Sequence, residues 1–199
     1  IRRYPGRFTG MAGVDPSDGA AAMEELERYV VGEGLRGIVL VPGLTKTPMF
    51  VEDERIFPLY ERCQALGVPV MLMVGSNCGP NIEYSKPEHA ERVAQAFPKL
   101  SIILSHGGWP WVTEAIHVAY RYKNVYLLPD LYQFNGPGSG EYLAAANYIL
   151  KEQMLFGSAY PYVSLQEAVD YFLGGRLRPE VQSAFLAGNA RKVLGLAGV

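Results

Sequence analysis

Short apolar runs recur along the chain at similar intervals, separated by segments of mixed polarity. Each run is rich in Val, Ile, Leu, Met or Phe and is mostly continuous rather than alternating. Continuous apolar strands are typical of a parallel sheet that is covered on both faces. The pattern therefore predicts six strands, at residues 8–14, 37–41, 68–74, 101–105, 125–128 and 154–156.

The segments between the runs have the periodicity of amphipathic helices. In the first of them, Ala22, Leu26 and Tyr29 recur at four- and three-residue steps. We expect Ser17 or Asp18 to cap the start of this helix. The predicted helices cover residues 19–33, 54–66, 87–97, 112–122, 140–151, 164–172 and 179–186.

Strands that alternate with helices indicate parallel βαβ units with right-handed crossovers. Two α/β architectures fit this pattern, a (β/α)8 barrel and an open doubly wound sheet. Six strands suit the open sheet, since a complete barrel typically needs about 250 residues. Against the open sheet, no strand is followed by GxGxxG or GxxxxGK[ST], so its usual phosphate-binding loops are missing.

Composition narrows the class of protein. The chain has 199 residues, of which 49% are apolar and 19% charged, and no linker divides it, so we expect a single domain over residues 1–199. A net charge of −2 gives no reason to expect nucleic acid or an anionic membrane as partner. Cys63 and Cys78 are too few for a disulfide framework or a zinc-ligand pattern. Free thiols and a start without an apolar signal region lead us to expect a cytoplasmic protein.

Two strand ends carry groups suited to acid–base chemistry, and in both architectures the active site lies at the carboxyl ends of the strands. His106 follows the fourth strand, either as a residual acid or base or as a hydrogen-bonded histidine without a task. Asp130 follows the fifth strand, either as a base or as the cap of its loop. Asp15 is interpreted as a turn and helix-start residue. His89 and His117 fall within predicted helices and receive no role.

The same edge carries candidate substrate-binding residues. Ser76, Asn77 and Ser158 follow glycines, where they either hydrogen-bond a substrate or only form turns. Aromatic residues are concentrated at these strand ends, which favours a pocket for a planar or apolar ligand. They are Trp109, Trp111, Tyr132, Tyr160 and Tyr162.

Several motifs, in order, give the chain a family resemblance: PGRFTGMAGVDP, LRGIVLVP, PLYERCQALGVPVMLMVG, FPKLSIILSHGGWPW, FGSAYP and GNARKVLGL. The chain resembles the amidohydrolase-related family, which contains aminocarboxymuconate semialdehyde decarboxylases, resorcylate-type decarboxylases and dicarboxylate lactonases. The resemblance implies a (β/α)8 TIM-barrel-like fold, with about six of its eight strands in this chain. The first two strands have no counterpart here, so we expect an incomplete record of a longer protein, or a partner that covers the gap.

The resemblance also implies metal ligands that this chain lacks. The family's HxH pair is absent, Met73 stands where a histidine ligand is expected, and Ala159 replaces the aspartate of GSDYP. Only His106 matches a ligand position. A catalytic zinc needs about three ligands from imidazole, carboxylate or thiolate, and a thioether suits Cu(I) instead. We therefore expect no metal and no cofactor.

Three functions remain open. The first is a metal-independent hydrolase or decarboxylase that acts on a small cyclic or aromatic acid by ring closure, lactone opening or loss of CO2. The second is a non-catalytic homologue that binds a ligand or an active relative. The third is a metal-dependent enzyme whose HxH pair lies upstream. The resemblance implies a small-molecule substrate and a homodimer. The net charge and the lack of an apolar run of about 18–20 residues lead us to expect neither nucleic acid nor a membrane as partner.

Overall fold

A computed structural model of the protein describes residues 1, 3, 4 and 6–196. Five parallel strands form one sheet whose spatial order follows the chain order. This order arises when each strand is joined to the next by a crossover of the same hand. The strands are β1 (Ala12–Gly13), β2 (Ile38–Leu40), β3 (Val70–Met73), β4 (Ile102–Ser105) and β5 (Val125–Leu128).

Five of the six predicted strands are present, and the first of them is much shorter than predicted. The first run is wrong over most of its length, because only Ala12–Gly13 pairs and Phe8 is 63% exposed. The sixth run contributes a single parallel bridge between Leu127 and Met154 in place of a strand. Around this bridge, the Leu155 N–H donates to the carbonyl of Leu127 at 2.8 Å. The sixth segment therefore continues the sheet beyond β5, but only by one pairing.

Helices fill the intervals between the strands, as the periodicity predicts. The first helix continues as a wider turn over Glu27–Gly32. Its expected cap is wrong: the Asp15 carboxylate accepts from the Ser17 N–H at 2.9 Å and caps a 3₁₀ turn ahead of the helix. The helices are α1 (Ala20–Leu26), α2 (Phe57–Leu66), α3 (Pro87–Ala96), α4 (Val112–Arg121), α5 (Ser139–Asn147), α6 (Leu165–Leu173), α7 (Pro179–Ser183) and α8 (Asn189–Val193). Within the described ranges, no helix has the length and apolar character needed to cross a membrane.

The two faces of the sheet are packed differently. Successive side chains of a strand point to opposite faces. One face packs on the helices and forms the main core, in which Leu72, Leu104 and Leu127 are fully buried. The opposite face, called the inner face below, forms a smaller cluster around Ile103, against which Val193 of α8 packs. Strand register defines one transverse row of the inner face: Gly13, Val39, Met71, Ile103 and Tyr126.

Candidate active site at the strand ends

Among the residues that the structure describes, four other than glycine have positive φ angles, and each lies just beyond the end of a strand or of the sixth segment. The angles are 57° at Ser76, 60° at His106, 45° at Asp130 and 51° at Ala159. A residue with a Cβ atom is strained in this region, and such strain is concentrated at functional sites. The backbone therefore marks the same edge of the sheet that the sequence motifs mark.

His106 and Asp130, the predicted catalytic residues, lie in direct contact. The Nδ1 atom of His106 is 2.8 Å from Oδ2 of Asp130, although it is not aligned with that oxygen as a hydrogen bond. The backbone N–H of His106 donates to the same oxygen at 3.2 Å. The other oxygen, Oδ1, accepts from the Leu131 N–H at 2.5 Å. Asp130 is 6% exposed, so it both shapes its loop and places a buried negative charge against the imidazole.

Aromatic side chains form a wall beside this pair. The Tyr132 ring stacks on Trp109 at 4.7 Å between centroids and meets His106 edge-on at 5.7 Å. The Tyr132 hydroxyl donates to Oγ of Ser76 at 2.7 Å. The Ser76 N–H in turn donates to the carbonyl of Trp109 at 2.6 Å. The structure thus brings Ser76, Trp109 and Tyr132 together with the acid–base pair.

The other predicted binding residues do not join this group. Asn77 is exposed, and the Tyr160 and Tyr162 side chains are 76% and 85% exposed. Oγ of Ser158 accepts from the Tyr160 N–H at 3.2 Å, which is the geometry of a turn. The chain turns at Ala159, where the carbonyl accepts from the Tyr162 N–H at 2.9 Å, and both tyrosine rings face solvent beyond this turn.

Gln133 supports the site, and no sequence pattern identified it. Its side chain is 3% exposed, and Nε2 donates to the carbonyl of Gly157 at 2.6 Å. Gly157 lies close to Asp130, because a Cβ atom there would lie 2.9 Å from Leu128 and 3.4 Å from the Cβ of Asp130. Gln133 therefore joins the sixth segment to the loop that carries Asp130.

His89 is a buried histidine whose contacts the sequence did not reveal, since it was only placed within a helix and given no role. His89 is 8% exposed, and its Nδ1 lies 2.6 Å from Oε1 of Glu52. Arg92 donates to the same oxygen at 2.5 Å, and the His89 ring stacks on Phe50. Burial by itself raises the pKa of Glu52, but the contacts with His89 and Arg92 outweigh it, so this pKa lies below its usual value. The cluster fastens the loop after β2 to α3.

The described residues do not form the metal site of the family resemblance. Across residues 1, 3, 4 and 6–196, no three His, Cys, Asp or Glu side chains converge on a common point. Met73 is the last residue of β3 and pairs with Ser105, beside His106. A thioether at this position and the methyl group of Ala159 do not replace imidazole and carboxylate ligands of zinc or manganese.

A cavity of about 370 Å³ opens at the same edge of the sheet, over the ends of β1 and β2. It lies two strands away from His106, so it is beside the acid–base pair rather than around it. The wall is mostly hydrocarbon. The lining residues are Gly13, Val14, Asp15, Pro16, Val39, Val41, Leu44 and Thr45.

Comparison with known proteins gives one family match over nearly the whole chain. The family model described as amidohydrolase matches residues 1–196. A γ-resorcylate decarboxylase of Polaromonas sp. (strain JS666) is 23% identical over 238 residues, covering 98% of this chain and 73% of that protein. A 2-amino-3-carboxymuconate-6-semialdehyde decarboxylase of Dictyostelium discoideum is 26% identical over 125 residues, covering 54% of this chain and 34% of that protein.

Solved structures show the same fold. An uncharacterized TIM-barrel protein of Bordetella bronchiseptica is 42% identical with a TM-score of 0.90, over 100% of this chain and 70% of that one. A 2,6-dihydroxybenzoate decarboxylase, solved with 2,6-dihydroxybenzoate, is 20% identical with a TM-score of 0.77, over 99% and 74%. A dihydroxybenzoic acid decarboxylase of Polaromonas sp. JS666, solved with manganese and 2-nitroresorcinol, is 21% identical with a TM-score of 0.74, over 100% and 72%. The fold is therefore α/β of the TIM-barrel type, and the open doubly wound sheet is excluded.

Proposed function

Because the chain belongs to the amidohydrolase family, we propose that it is an enzyme that removes CO2 from a small aromatic or cyclic acid by proton transfer at His106. The observation that carries this proposal is the buried Asp130 carboxylate 2.8 Å from Nδ1 of His106. The relatives that are named as decarboxylases support the reaction class.

The His106–Asp130 pair suits a proton donor. In the proposed step, the imidazolium of His106 protonates the ring carbon that bears the carboxylate. The bond to the carboxylate then breaks, its electron pair restores the ring, and CO2 leaves. Asp130 stabilises the charged imidazole at Nδ1, which leaves Nε2 to deliver the proton, and His106 regains a proton from water.

The aromatic wall suits a planar substrate. Trp109 and Tyr132 present stacked rings beside His106, and a ring substrate that stacks against such a wall gains both apolar burial and orientation. The Ser76 and Tyr132 hydroxyl groups lie 2.7 Å apart, where they suit contacts with a hydroxyl or carboxylate oxygen of the substrate.

Turnover of hydroxybenzoates tests this function, with released CO2 as the readout. General acid catalysis typically contributes about 10²–10⁴ in rate, so we expect His106→Gln and Asp130→Asn to lose activity in that range. The matched control is His117→Gln on α4, an exposed histidine away from the strand ends, which we expect to keep the wild-type rate. Equal rates in His106→Gln and wild type would refute the role of this residue.

We further propose that the reaction proceeds without a metal ion, because Met73 and Ala159 stand where the family resemblance implies ligands. Metal content by mass spectrometry tests this on the full chain. We expect less than about one-tenth of a zinc or manganese per wild-type chain, and a higher content in Met73→His/Ala159→Asp. About one metal ion per wild-type chain would contradict metal independence and leave the acid–base pair to be tested by turnover.

Ala159 also favours a second candidate, a ligand-binding homologue without activity. The methyl group holds no proton at a position where the family resemblance implies a carboxylate. Binding of a hydroxybenzoate by calorimetry, without CO2 release by wild type at any pH between about 5 and 9, would establish this candidate instead.

A further inference from the structure

We propose that the cavity over β1 and β2 is a subsite for an apolar substituent of the substrate, so that the natural substrate is an aromatic acid with a hydrocarbon chain or a second ring. This inference rests on the proposed function for the position of the acid group at His106. It adds the chemical class of the rest of the molecule.

The cavity and the acid–base pair lie at the same carboxyl edge of one sheet. Val39 lines the cavity and is in register with Met71, which is in register with Ile103 of β4. His106 follows the last residue of β4. Two strand spacings therefore separate the cavity from His106, a distance of about 10 Å. One elongated molecule spans this distance along the carboxyl ends of the strands.

Met73 lies between the two regions. It is two residues beyond Met71 on the same face and pairs with Ser105, next to His106. A polar metal centre at this position would separate the cavity from the catalytic pair. Met73 instead supplies a flexible, apolar thioether on the strand between β2 and β4, and methionine adapts well to ligands of irregular shape.

The lining also fixes which end of the molecule enters the cavity. The Thr45 hydroxyl already has a partner within the protein, because it donates to the carbonyl of Pro42 at 3.0 Å or of Thr47 at 2.8 Å. The Asp15 carboxylate lines the rim and accepts from Ser17. A substrate carboxylate is repelled there by like charge, while a hydrocarbon group is buried against valine, proline and leucine.

A homologous series of ligands tests the subsite by isothermal titration calorimetry on the full chain. The probes are benzoate, 4-ethylbenzoate, 4-butylbenzoate and 4-hexylbenzoate. Each buried methylene group strengthens binding by about fourfold, so we expect Kd to fall steadily with chain length until the cavity is filled. A Kd that does not change across the series would overturn the inference.

A pair of matched variants locates the hydrocarbon chain. Leu44 lines the cavity and is 63% exposed, so Leu44→Glu places a charge at the rim without disturbing the core. We expect it to weaken 4-hexylbenzoate binding by about tenfold or more and to leave benzoate unchanged. Leu173→Glu at the end of α6 changes a leucine that is 51% exposed and outside the cavity, and we expect wild-type Kd values for the whole series.

A third variant tests the volume of the subsite, and its outcomes separate the two proposals. Val41→Phe reduces the space, so we expect the gain in affinity to stop at a shorter chain. The same dependence on chain length in Leu44→Glu, Val41→Phe and wild type would overturn the subsite even if turnover is observed. If wild-type Kd falls with chain length, these variants abolish that fall, and no CO2 is released, the subsite is retained and the decarboxylase function is rejected.

Discussion

At the scale of single residues, the strand ends carry both polar side chains and a strained backbone. Ala159 has a φ of 51°, a region that costs a residue with a Cβ atom about 1 kcal/mol and costs glycine little. The side chains of His106 and Asp130 contact each other at their strand ends, whereas the methyl group of Ala159 forms no hydrogen bond that could offset the strain. The strain at residue 159 is therefore retained without a polar contact from the side chain.

The first prediction follows from this strain. We expect Ala159→Gly to raise the free energy of unfolding by about 0.5–1 kcal/mol, measured by urea denaturation. The control is Ala144→Gly on the exposed side of α5, where glycine costs about 1 kcal/mol. A loss of stability in both variants would show that the backbone at residue 159 is not strained.

Residues that act at strand ends were predictable, whereas residues that act through distant partners were not. His106 and Asp130 each follow an apolar run, so their shared edge could be deduced from strand order alone. Glu52 and His89 are 37 residues apart in a loop and a helix, and no local pattern pairs them. Gln133 was missed for the same reason, because its partner Gly157 is 24 residues away.

At the scale of elements, the Glu52 cluster attaches the loop after β2 to α3. Glu52 accepts from Arg92 and contacts His89, and the pKa of its carboxyl lies below the ordinary 4.5. A carboxyl with a lowered pKa in the folded protein stabilises the fold fully above the pKa of the unfolded chain. This contribution is lost as pH falls through the lowered value.

The second prediction concerns acid stability. At pH 7 we expect Glu52→Gln to lower the free energy of unfolding by about 1 kcal/mol. The difference from wild type should shrink as the pH falls below about 4.5, because the wild-type carboxylate is then protonated too. Urea denaturation at several pH values measures this, with exposed Glu24→Gln as control. A difference that stays constant down to pH 3 would reject the ionic origin.

Helices were predicted closely, while strands were predicted too long. The predicted helices at 87–97 and 112–122 differ by one residue from α3 and α4, since amphipathic periodicity persists over several turns. The predicted strand at 8–14 is reduced to Ala12–Gly13. A short apolar run does not show which of its residues will pair with a neighbouring strand. The ends of each strand are set by hydrogen bonding between strands, which the sequence pattern does not predict.

At the scale of the whole molecule, both cysteines are buried in the folded state. Burial raises the pKa of Cys63 to about 12 and that of Cys78 to about 11, against an ordinary value of 9.0. Thiolate is the reactive form, so folding suppresses both thiols. Their reaction with a disulfide reagent therefore reports on whether the chain is folded around them.

The third prediction uses this suppression. At pH 8 we expect both thiols to react at least about a hundredfold more slowly in the native protein than in concentrated urea, from the shift of the pKa alone. Absorbance of the released reagent thiol measures the rates. Rapid reaction of Cys78 in native protein would show that the loop after β3 opens without global unfolding.

The barrel class followed from the family motifs in the sequence, although six strands and 199 residues suit an open sheet, and comparison with solved structures confirms it. The inner-face cavity did not follow from the sequence, because it depends on which side chains of β1 and β2 meet across the sheet. The expected homodimer stays a prediction, and sedimentation of the purified protein would test it.

Because the two faces of the sheet are packed differently, they tolerate substitutions differently during evolution. The helix-facing leucines form the main core, whereas Met73 belongs to neither of the two buried apolar clusters. A lineage can therefore change the residue at this position without producing a misfolded chain that selection removes at once. The intact scaffold persists in the population, and drift on its inner face supplies new pockets for new molecules.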